Sequence, residues 1–561
     1  MKINQLLYSF LFVAAVSFTS CSDFLDIPPT NIITGGELAD NDLPKLTSPL
    51  YNVVWADFNG QFYYGLGDGR AYNLFAPYSD YVYPFHDLNE AGLTGPLVSA
   101  WASFYVIVQQ ANNVIISINQ STALQEVKNQ YIAEARFMRG LAYWYLASLW
   151  GNVIICEDPA LIVNNPLSNT NPRKDAYDFA IRDMEFAAKY LPVTVTEDGR
   201  VTKYSAFGML SRFYLDYSGL VASNYGENPN CGTRDAAYLE LAKKAAEKVI
   251  NESSYKLLPN YADLFIPTKE LNNNSEILFA LQWIPGLTSS TGWQITNTQQ
   301  AYFAFSSQVT GDDAAWGDWT RCPYDMLKEY EPADVIRRKA TWMGWGDHYP
   351  EIDKANGGLL YERNASTSVS DAGTALNVKK GVTGSAKDYP GIVGRMNSGL
   401  NTRMLRLAEV YLNYADAVLG NAASTTNATA LEYFNAVRTR TQQLTPKTSI
   451  SYNDLRHERR IEFCMEGRYW YDLVARAYYN QQEVINYIND QNRGTIPGFA
   501  FSAPYTITME PDRDGSRSVN QMTKERFLLP YPQTELVKNP KLGEAPVPYT
   551  FTEERITDLF N

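Results

Sequence analysis

The chain has 561 residues and a formal net charge of -13, with 48 Lys and Arg set against 61 Asp and Glu. That balance argues against nucleic acid or an anionic membrane face as the main partner, and the length allows one large domain or two intimate ones with a sizeable core. Cys21, Cys156, Cys231, Cys322 and Cys464 are far apart and form no C-x-x-C, which excludes a dense disulfide framework and leaves one or two bridges open for an exported chain.

At the start, Lys2 supplies a positive n-region, residues 6–18 an apolar h-region, and Thr19-Ser20 small residues before Cys21. The apolar run is too short to span a bilayer comfortably and reads as an export signal over residues 1–20. A cysteine at that point is a candidate for lipidation, with acyl chains worth about 0.8 kcal/mol per buried methylene as an anchor. Residues 21–58 then read as a lipidated N-terminus and linker, since Pro28-Pro29 blocks helix and Pro44 and Pro49 interrupt a helical pattern over 38–55.

Residues 59–254 read as an N-terminal helical scaffold that carries a binding loop. The stretch 59–95 is rich in Gly and Tyr and loop-like, and residues 96–118 and 124–150 form a helical hairpin. Within it, Ala133, Phe137, Leu141, Trp144 and Ser148 make one helical stripe, with Met138, Tyr145 and Leu149 beside it. So little polar face remains that this helix is predicted to be buried on most sides, with Gly151 as its stop. Residues 175–191 and 204–218 make a second pair, and 234–251 a further helix. Residues 255–400 read as an irregular, aromatic-rich insertion with a strand candidate at 276–283. Residues 401–561 form a C-terminal helical scaffold and Pro-rich tail, with helices predicted over 402–419, 430–441 and 452–478. The predicted fold class is mainly α: a tetratricopeptide-like helical-pair scaffold with a long irregular, loop-rich ligand-binding insertion.

Four separated stretches carry a family likeness: Cys21-Ser-Asp-Phe-Leu-Asp-Ile-Pro-Pro29; Ala133-Glu-Ala-Arg-Phe-Met-Arg-Gly-Leu-Ala-Tyr143 and on to Gly151; Arg406-Leu-Ala-Glu-Val-Tyr-Leu-Asn-Tyr-Ala-Asp416; and Glu458-Arg-Arg-Ile-Glu-Phe-Cys-Met-Glu-Gly-Arg468 with Trp470-Tyr-Asp-Leu473. Tyr261-Ala-Asp-Leu-Phe265, Asn274-Ser-Glu-Ile-Leu-Phe279 and Leu528-Leu-Pro-Tyr-Pro-Gln533 add to it. Together they resemble the SusD/RagB family of outer-membrane nutrient-binding lipoproteins. The resemblance implies a helical scaffold beside a ligand-binding region and oligosaccharide capture at the cell surface. It also implies docking on a SusC-like TonB-dependent outer-membrane transporter, and a lipid anchor in the outer membrane facing the cell exterior.

The insertion supports sugar capture independently. Trp283, Trp293, Trp316, Trp319, Trp342 and Trp345 are six of the eleven tryptophans, in a window where an even spread would put about one. They sit mostly beside glycines, as loop residues do. A flat indole or phenol covers the apolar face of a sugar while nearby polar groups satisfy its hydroxyls, and Trp316, Asp318 and Trp319 offer both. Arg70, Tyr72, Asn73, Tyr78 and Tyr81 are candidates for a second wall.

The charged run 456–468 could be an anion site or acid/base dyad; an ion-pair network between helices, with i,i+3 pairs such as Arg459–Glu462, is the favoured reading, and Arg136 and Arg139 are read the same way. His86, His348 and His457 lie far apart with no ligand spacing, so no metal or cofactor is expected. Gly65-Leu-Gly-Asp-Gly69 lacks the strand–loop–helix frame of a nucleotide loop. Glu510-x-Asp512-x-Asp514-Gly515 copies half a calcium loop, but Gln521 stands where its glutamate is needed. The expectation is a non-catalytic glycan-binding lipoprotein; a peptide-binding member of the same family and an exported glycoside hydrolase are the alternatives.

Overall fold

Two long helices, α1 (Gly95–Gln120) and α2 (Gln125–Trp150), form the first antiparallel pair. They are seen in a computed structural model that describes residues 38–76, 79–284, 295–304, 307–311, 317, 320–344, 346–361, 376–394, 396–493, 498–502, 506–510 and 519–560. From Ile132 to Trp150 every residue of α2 except Arg136 is buried, as its lack of a polar face predicts. Gly140 lets the next helix, α3 (Arg173–Tyr190), approach closely, because a Cβ there would already sit 3.0 Å from the Ala180 carbonyl. Gly151 ends α2 at φ +76°, a conformation open to glycine at little cost.

Helices α4 (Lys203–Ala222) and α5 (Ala236–Glu252) continue the stack, each packing on its predecessor. The insertion follows, with strand β1 (Ile277–Leu281), the five-residue helix α6 (Gln299–Phe303) and the short strands β2 (Trp342–Met343) and β3 (Asn377–Val378). Strand β4 (Thr402–Arg406) then leads into α7 (Leu407–Leu419), which packs on α4 and α5 and is followed by α8 (Ala428–Arg438), α9 (Tyr452–Glu462), α10 (Tyr469–Ala477) and α11 (Gln481–Asn489). One large apolar core runs through the helices. A second, containing Tyr64, Phe303, Trp342, Cys464 and Met465, seals the insertion onto them. Among the described residues no helix is long and apolar enough to cross a membrane. Cys156, Cys231, Cys322 and Cys464 are free thiols.

Three expectations about local structure are corrected. Residues 402–406 are a strand, not the start of a helix: they pair antiparallel with β1, Ile277 opposite Arg406 and Leu281 opposite Thr402. Their spacing fits a helix, but β1 satisfies their backbone groups, so tertiary pairing decides. Residues 452–478 are two helices, because Met465 (φ +62°) and Gly467 (φ +66°) turn the chain between α9 and α10. The loop-like stretch 59–95 contains buried π-helical turns at Phe58–Phe62 and Gly65–Gly69 and a helical turn at Tyr83–His86.

The last two corrections share a cause. Asp68 accepts hydrogen bonds from the backbone N–H of Met465 (2.9 Å) and of Gly467 (2.7 Å), and from Asn73 Nδ2 (3.0 Å). A Cβ on Gly67 would collide with the Gly467 backbone. The glycines of 65–69 therefore serve chain crossing, with the Asp68 side chain completing the turn between two helices.

The charged run is a buried ion-pair network, and it binds the insertion as well as the helices. Arg406 Nη1 reaches Glu276 (2.6 Å) and Glu462 (3.0 Å), and its Nε reaches Glu466 (2.8 Å). Arg440 holds the other oxygen of Glu276 at 2.8 Å and also pairs with Glu462. Lys380, from the insertion, donates to Glu466 (2.8 Å) and to the Cys464 carbonyl (2.7 Å); Arg337 joins Asp334, Glu458 and Glu462. Instead of forming the expected i,i+3 pair with Glu462, Arg459 reaches Asp472 (2.8 Å) and Asn413 (2.8 Å). Arg139 forms a bidentate pair with Asp183 and Arg136 one with Glu553. Burial pushes Glu409 up, but Arg212 and Arg468 outweigh it and hold the carboxyl at about 2.

Removing one member of such a network strands its partners as uncompensated buried charges. Arg406→Met is therefore expected to lower stability by about 3–5 kcal/mol in chemical denaturation, against about 0–1 kcal/mol for an exposed pair such as Lys538–Glu535. Asp216 titrates with the opposite sign. It accepts from Trp144 Nε1 at 2.8 Å beside a polar crevice of about 50 Å³ between α4, α7, α9 and α10, and burial pushes its carboxyl from 3.8 to about 7. The folded state thus binds this proton more tightly than the unfolded chain, so the Asp216 contribution grows as pH falls through that window and shrinks as pH rises. Asp216→Asn, which keeps an acceptor for Trp144, is expected to raise the melting midpoint above pH 7 and to lose that advantage below about pH 4 in a pH series of thermal melts.

Candidate ligand-binding face

Helix α6 has five residues, too few to be stable on its own hydrogen bonds, so its position comes from what it is fastened to. The Asn297 side chain, one residue before its N-cap Thr298, accepts from Gln299 N (2.9 Å) and donates to the Leu400 carbonyl (2.6 Å). Gln299 Nε2 donates to Asn59 Oδ1 (3.1 Å), and Asn59 Nδ2 faces Asn297 Oδ1 at 3.4 Å. Thr402 Oγ1 bonds Asn59 from β4. Each of these amides is buried, so each needs its partners, and together they tie the insertion to the π-helical turn at Phe58–Phe62 and to β4. At the near end, Ile284 N donates to the Ile295 carbonyl (2.9 Å).

The helix presents Tyr302 at the surface of this arrangement. Its ring lies 6.0 Å from that of Tyr81 at 81°, and 6.0 Å from that of Tyr64. Phe62 backs Tyr81 edge-on at 6.4 Å, and Phe303 backs Tyr64 at 4.7 Å. Tyr81 and Tyr302 are half-buried, whereas Tyr64, Phe62 and Phe303 are fully interior. The result is a pair of partly open rings on a buried aromatic floor. Burial, with help from Tyr81 and Asp57, pushes the Tyr302 phenol up to about 12, so its hydroxyl keeps its proton at neutral pH. A ring of this kind offers a flat apolar surface with a hydroxyl at its edge.

Gly317 is seated against the same helix. Its N–H donates to the Ala304 carbonyl (2.8 Å), its own carbonyl accepts from Thr320 Oγ1 (2.6 Å), and a Cβ there would run into the Phe303 backbone. The close approach demands glycine. Gly317 is thereby fixed two residues along from Tyr302, at Ala304, and in sequence it is the residue between Trp316 and Asp318.

The residues expected at the site divide three ways. Trp316, Asp318, Trp319, Trp293, Trp345 and Tyr78 lie outside the described residues. Tyr81 is on the face. The others face inward and are corrected to structural roles. Trp283 is 5% exposed, with Nε1 donating to Thr402 Oγ1 (2.9 Å), and Trp342 is sealed in the second core on β2. Arg70 pairs with Glu90, lies 4.4 Å over the Trp470 ring and is held down at about 9 by burial, with Arg493 and Arg526 adding to the effect. Tyr72 donates to the Asn492 carbonyl (3.0 Å), and Asn73 accepts from Arg460 Nε (2.9 Å). The physical reason is common to all of them: a glycine-rich, aromatic loop packed on a scaffold needs an inner layer, and these residues form it.

Tyr302 is the contributor that the sequence did not bring forward. A five-residue helix has no readable period, and the aromatic run Tyr302-Phe303 lacks the glycines that drew attention to the tryptophans. His86 is buried beside Asp87 (2.8 Å), His457 faces Glu329 (2.8 Å), and His348 contacts the Gly357 carbonyl (3.0 Å). Among the described residues no group of His, Cys, Asp and Glu side chains could hold a metal ion.

Comparison with known proteins agrees with this architecture. The model of the SusD family matches residues 320–547, and a second model, described as starch-binding and associating with the outer membrane, matches residues 77–215. A SusD-like protein of Bacteroides ovatus is 37% identical over 96% of this chain and 97% of its own length. The starch-binding protein SusD of Bacteroides thetaiotaomicron is 22% identical over 70% of this chain and 72% of its own. A crystal structure solved with xylogluco-oligosaccharide superposes with a TM-score of 0.81 at 36% identity, covering 91% of this chain and all of that one. Over nearly its whole length, and in the helical architecture that the coordinates show, the chain belongs to the SusD family.

Proposed function

We propose that this protein is a non-catalytic glycan-binding lipoprotein of the outer membrane that holds oligosaccharides on the Tyr81–Tyr302 face and passes them to a SusC-like TonB-dependent transporter. The observation that carries the reading is the pair of half-open phenol rings on a buried aromatic floor, with Gly317 seated against the same helix. Rings covering the apolar faces of sugars, with hydroxyl and amide groups at their rim, suit a glycan chain better than a peptide, whose recognition asks for main-chain pairing or charge capture. The structure at 36% identity contains a xylogluco-oligosaccharide, which makes xyloglucan fragments the first glycans to try. Trp316, Trp319 and Asp318 are proposed to complete the face, and Cys21 to carry the lipid.

The test is affinity electrophoresis and calorimetry of the ectodomain against xylogluco-oligosaccharide and a glycan panel. Tyr302→Ala, Tyr81→Ala, Trp316→Ala and Trp319→Ala are each expected to weaken binding by roughly tenfold or more, about 1.4 kcal/mol, without moving the melting midpoint of the helical scaffold. Full affinity in all four variants would remove the face from consideration. Release of shorter sugars on incubation would overturn the non-catalytic reading in favour of a hydrolase.

A further inference from the structure

We infer that Gln300 is a positioning residue for this face: its carboxamide bolts the helix carrying Tyr302 to the turn at 381–385 and so sets the orientation in which the Tyr302 ring meets a sugar. The inference rests on the reading of Tyr302 as a ligand contact.

Gln300 is buried, and both ends of its carboxamide are hydrogen-bonded. Its Oε1 accepts from Thr383 N (2.7 Å), Thr383 Oγ1 (2.6 Å) and Gly384 N (3.1 Å), while Nε2 donates to the Gly384 carbonyl (2.8 Å). One side chain thus takes up two backbone N–H groups, a hydroxyl and a carbonyl of the facing turn. The turn is itself firmly built. Gly381 and Gly384 adopt φ +80° and +103°, and Asp388 accepts from Ser385 N (2.9 Å), Ser385 Oγ (2.7 Å) and Lys354 N (2.8 Å). A helix as short as α6 does not hold its own place, so its fasteners decide where Tyr302 points. Gln299 fastens one side to Asn59, and Gln300, the next residue round the helix, fastens the other to Thr383 and Gly384.

Leucine at position 300 would fill similar space while leaving the buried N–H groups of Thr383 and Gly384 without their acceptor. The affinity of a ligand for an unfixed ring falls because ordering that ring is then part of binding. A double-mutant cycle separates this from a general loss of stability.

Binding of xylogluco-oligosaccharide is measured by calorimetry for the parent protein, Gln300→Leu, Tyr302→Ala and the double variant, with hydrogen–deuterium exchange of residues 299–304 as a ligand-free readout. The expected result is about a tenfold loss for Gln300→Leu, no further loss when it is added to Tyr302→Ala, and faster exchange in α6 with the α2 amides unchanged. Gln300→Glu, which keeps the acceptor for both N–H groups but donates to the Gly384 carbonyl only when protonated, is the second variant and is expected to recover most of the affinity only at acidic pH, where its carboxyl is neutral. An equal loss from Gln300→Leu with and without Tyr302 would overturn the inference. So would full affinity in Gln300→Leu alongside an impaired Tyr302→Ala, and in both cases the face itself stands. Full affinity in Tyr302→Ala would instead sink the reading of the face, and the inference with it.

Discussion

The charge cluster around Arg406 and Glu462 is the constraint on which the rest of the structure depends. A buried ion must be compensated on several sides at once, and here the compensating groups come from parts of the chain far apart in sequence. Glu276 arrives from the start of the insertion, Lys380 from its far end, Arg406 from β4, Arg440 from beyond α8, and Glu462 and Glu466 from α9 and the turn after it. No subset satisfies the others, so the insertion and the helical scaffold reach their charge balance only in one relative placement. Such a network contributes less to net stability than its Coulomb attractions suggest, since each ion gives up its hydration. What it imposes is registry: a misplaced insertion would leave carboxylates and guanidinium groups buried without partners.

The turn between α9 and α10 shows the same logic carried by the backbone. Met465 and Gly467 both take positive φ, which is a cost for methionine. Asp68 offsets that cost by accepting both of the N–H groups that the turn presents, and Gly67 allows its own strand of chain to come close enough for the carboxylate to reach. The segment around Asp68 is thereby committed to the interior. Arg70, Tyr72 and Asn73 follow it inward, Arg70 stacking over the Trp470 ring and the other two bonding the Asn492 carbonyl and Arg460, while the chain emerges a few residues later to display Tyr81. Inner fastening and outer display are two faces of one short stretch.

The helical part of the fold was legible because its signal is local and periodic. The stripe from Ala133 to Leu149, the glycine that stops it, and the pairs that follow all reappear within a few residues of their predicted bounds. Legibility failed where long-range partners choose the local structure. Residues 402–406 carry a helical spacing but are drawn into a strand by β1, and the continuous pattern of 452–478 breaks at a turn whose reason sits near residue 68. At the site, clustering drew attention to the aromatic residues of the insertion but not to the side on which each ring lies: Trp283 and Trp342 are inside, and Tyr302 is half-buried.

From the sequence alone came the helical repeats, the family likeness and the concentration of aromatic rings in the middle of the chain, since these depend on spacing and composition carried by neighbouring residues. Only the tertiary structure decided which rings became floor and which became surface. An aromatic side chain in an aperiodic loop is drawn equally to any apolar neighbour, and the neighbours here, Tyr302 against Tyr81 and Phe303 against Tyr64, come from segments more than two hundred residues apart that meet only once the buried charges and amides have been paired.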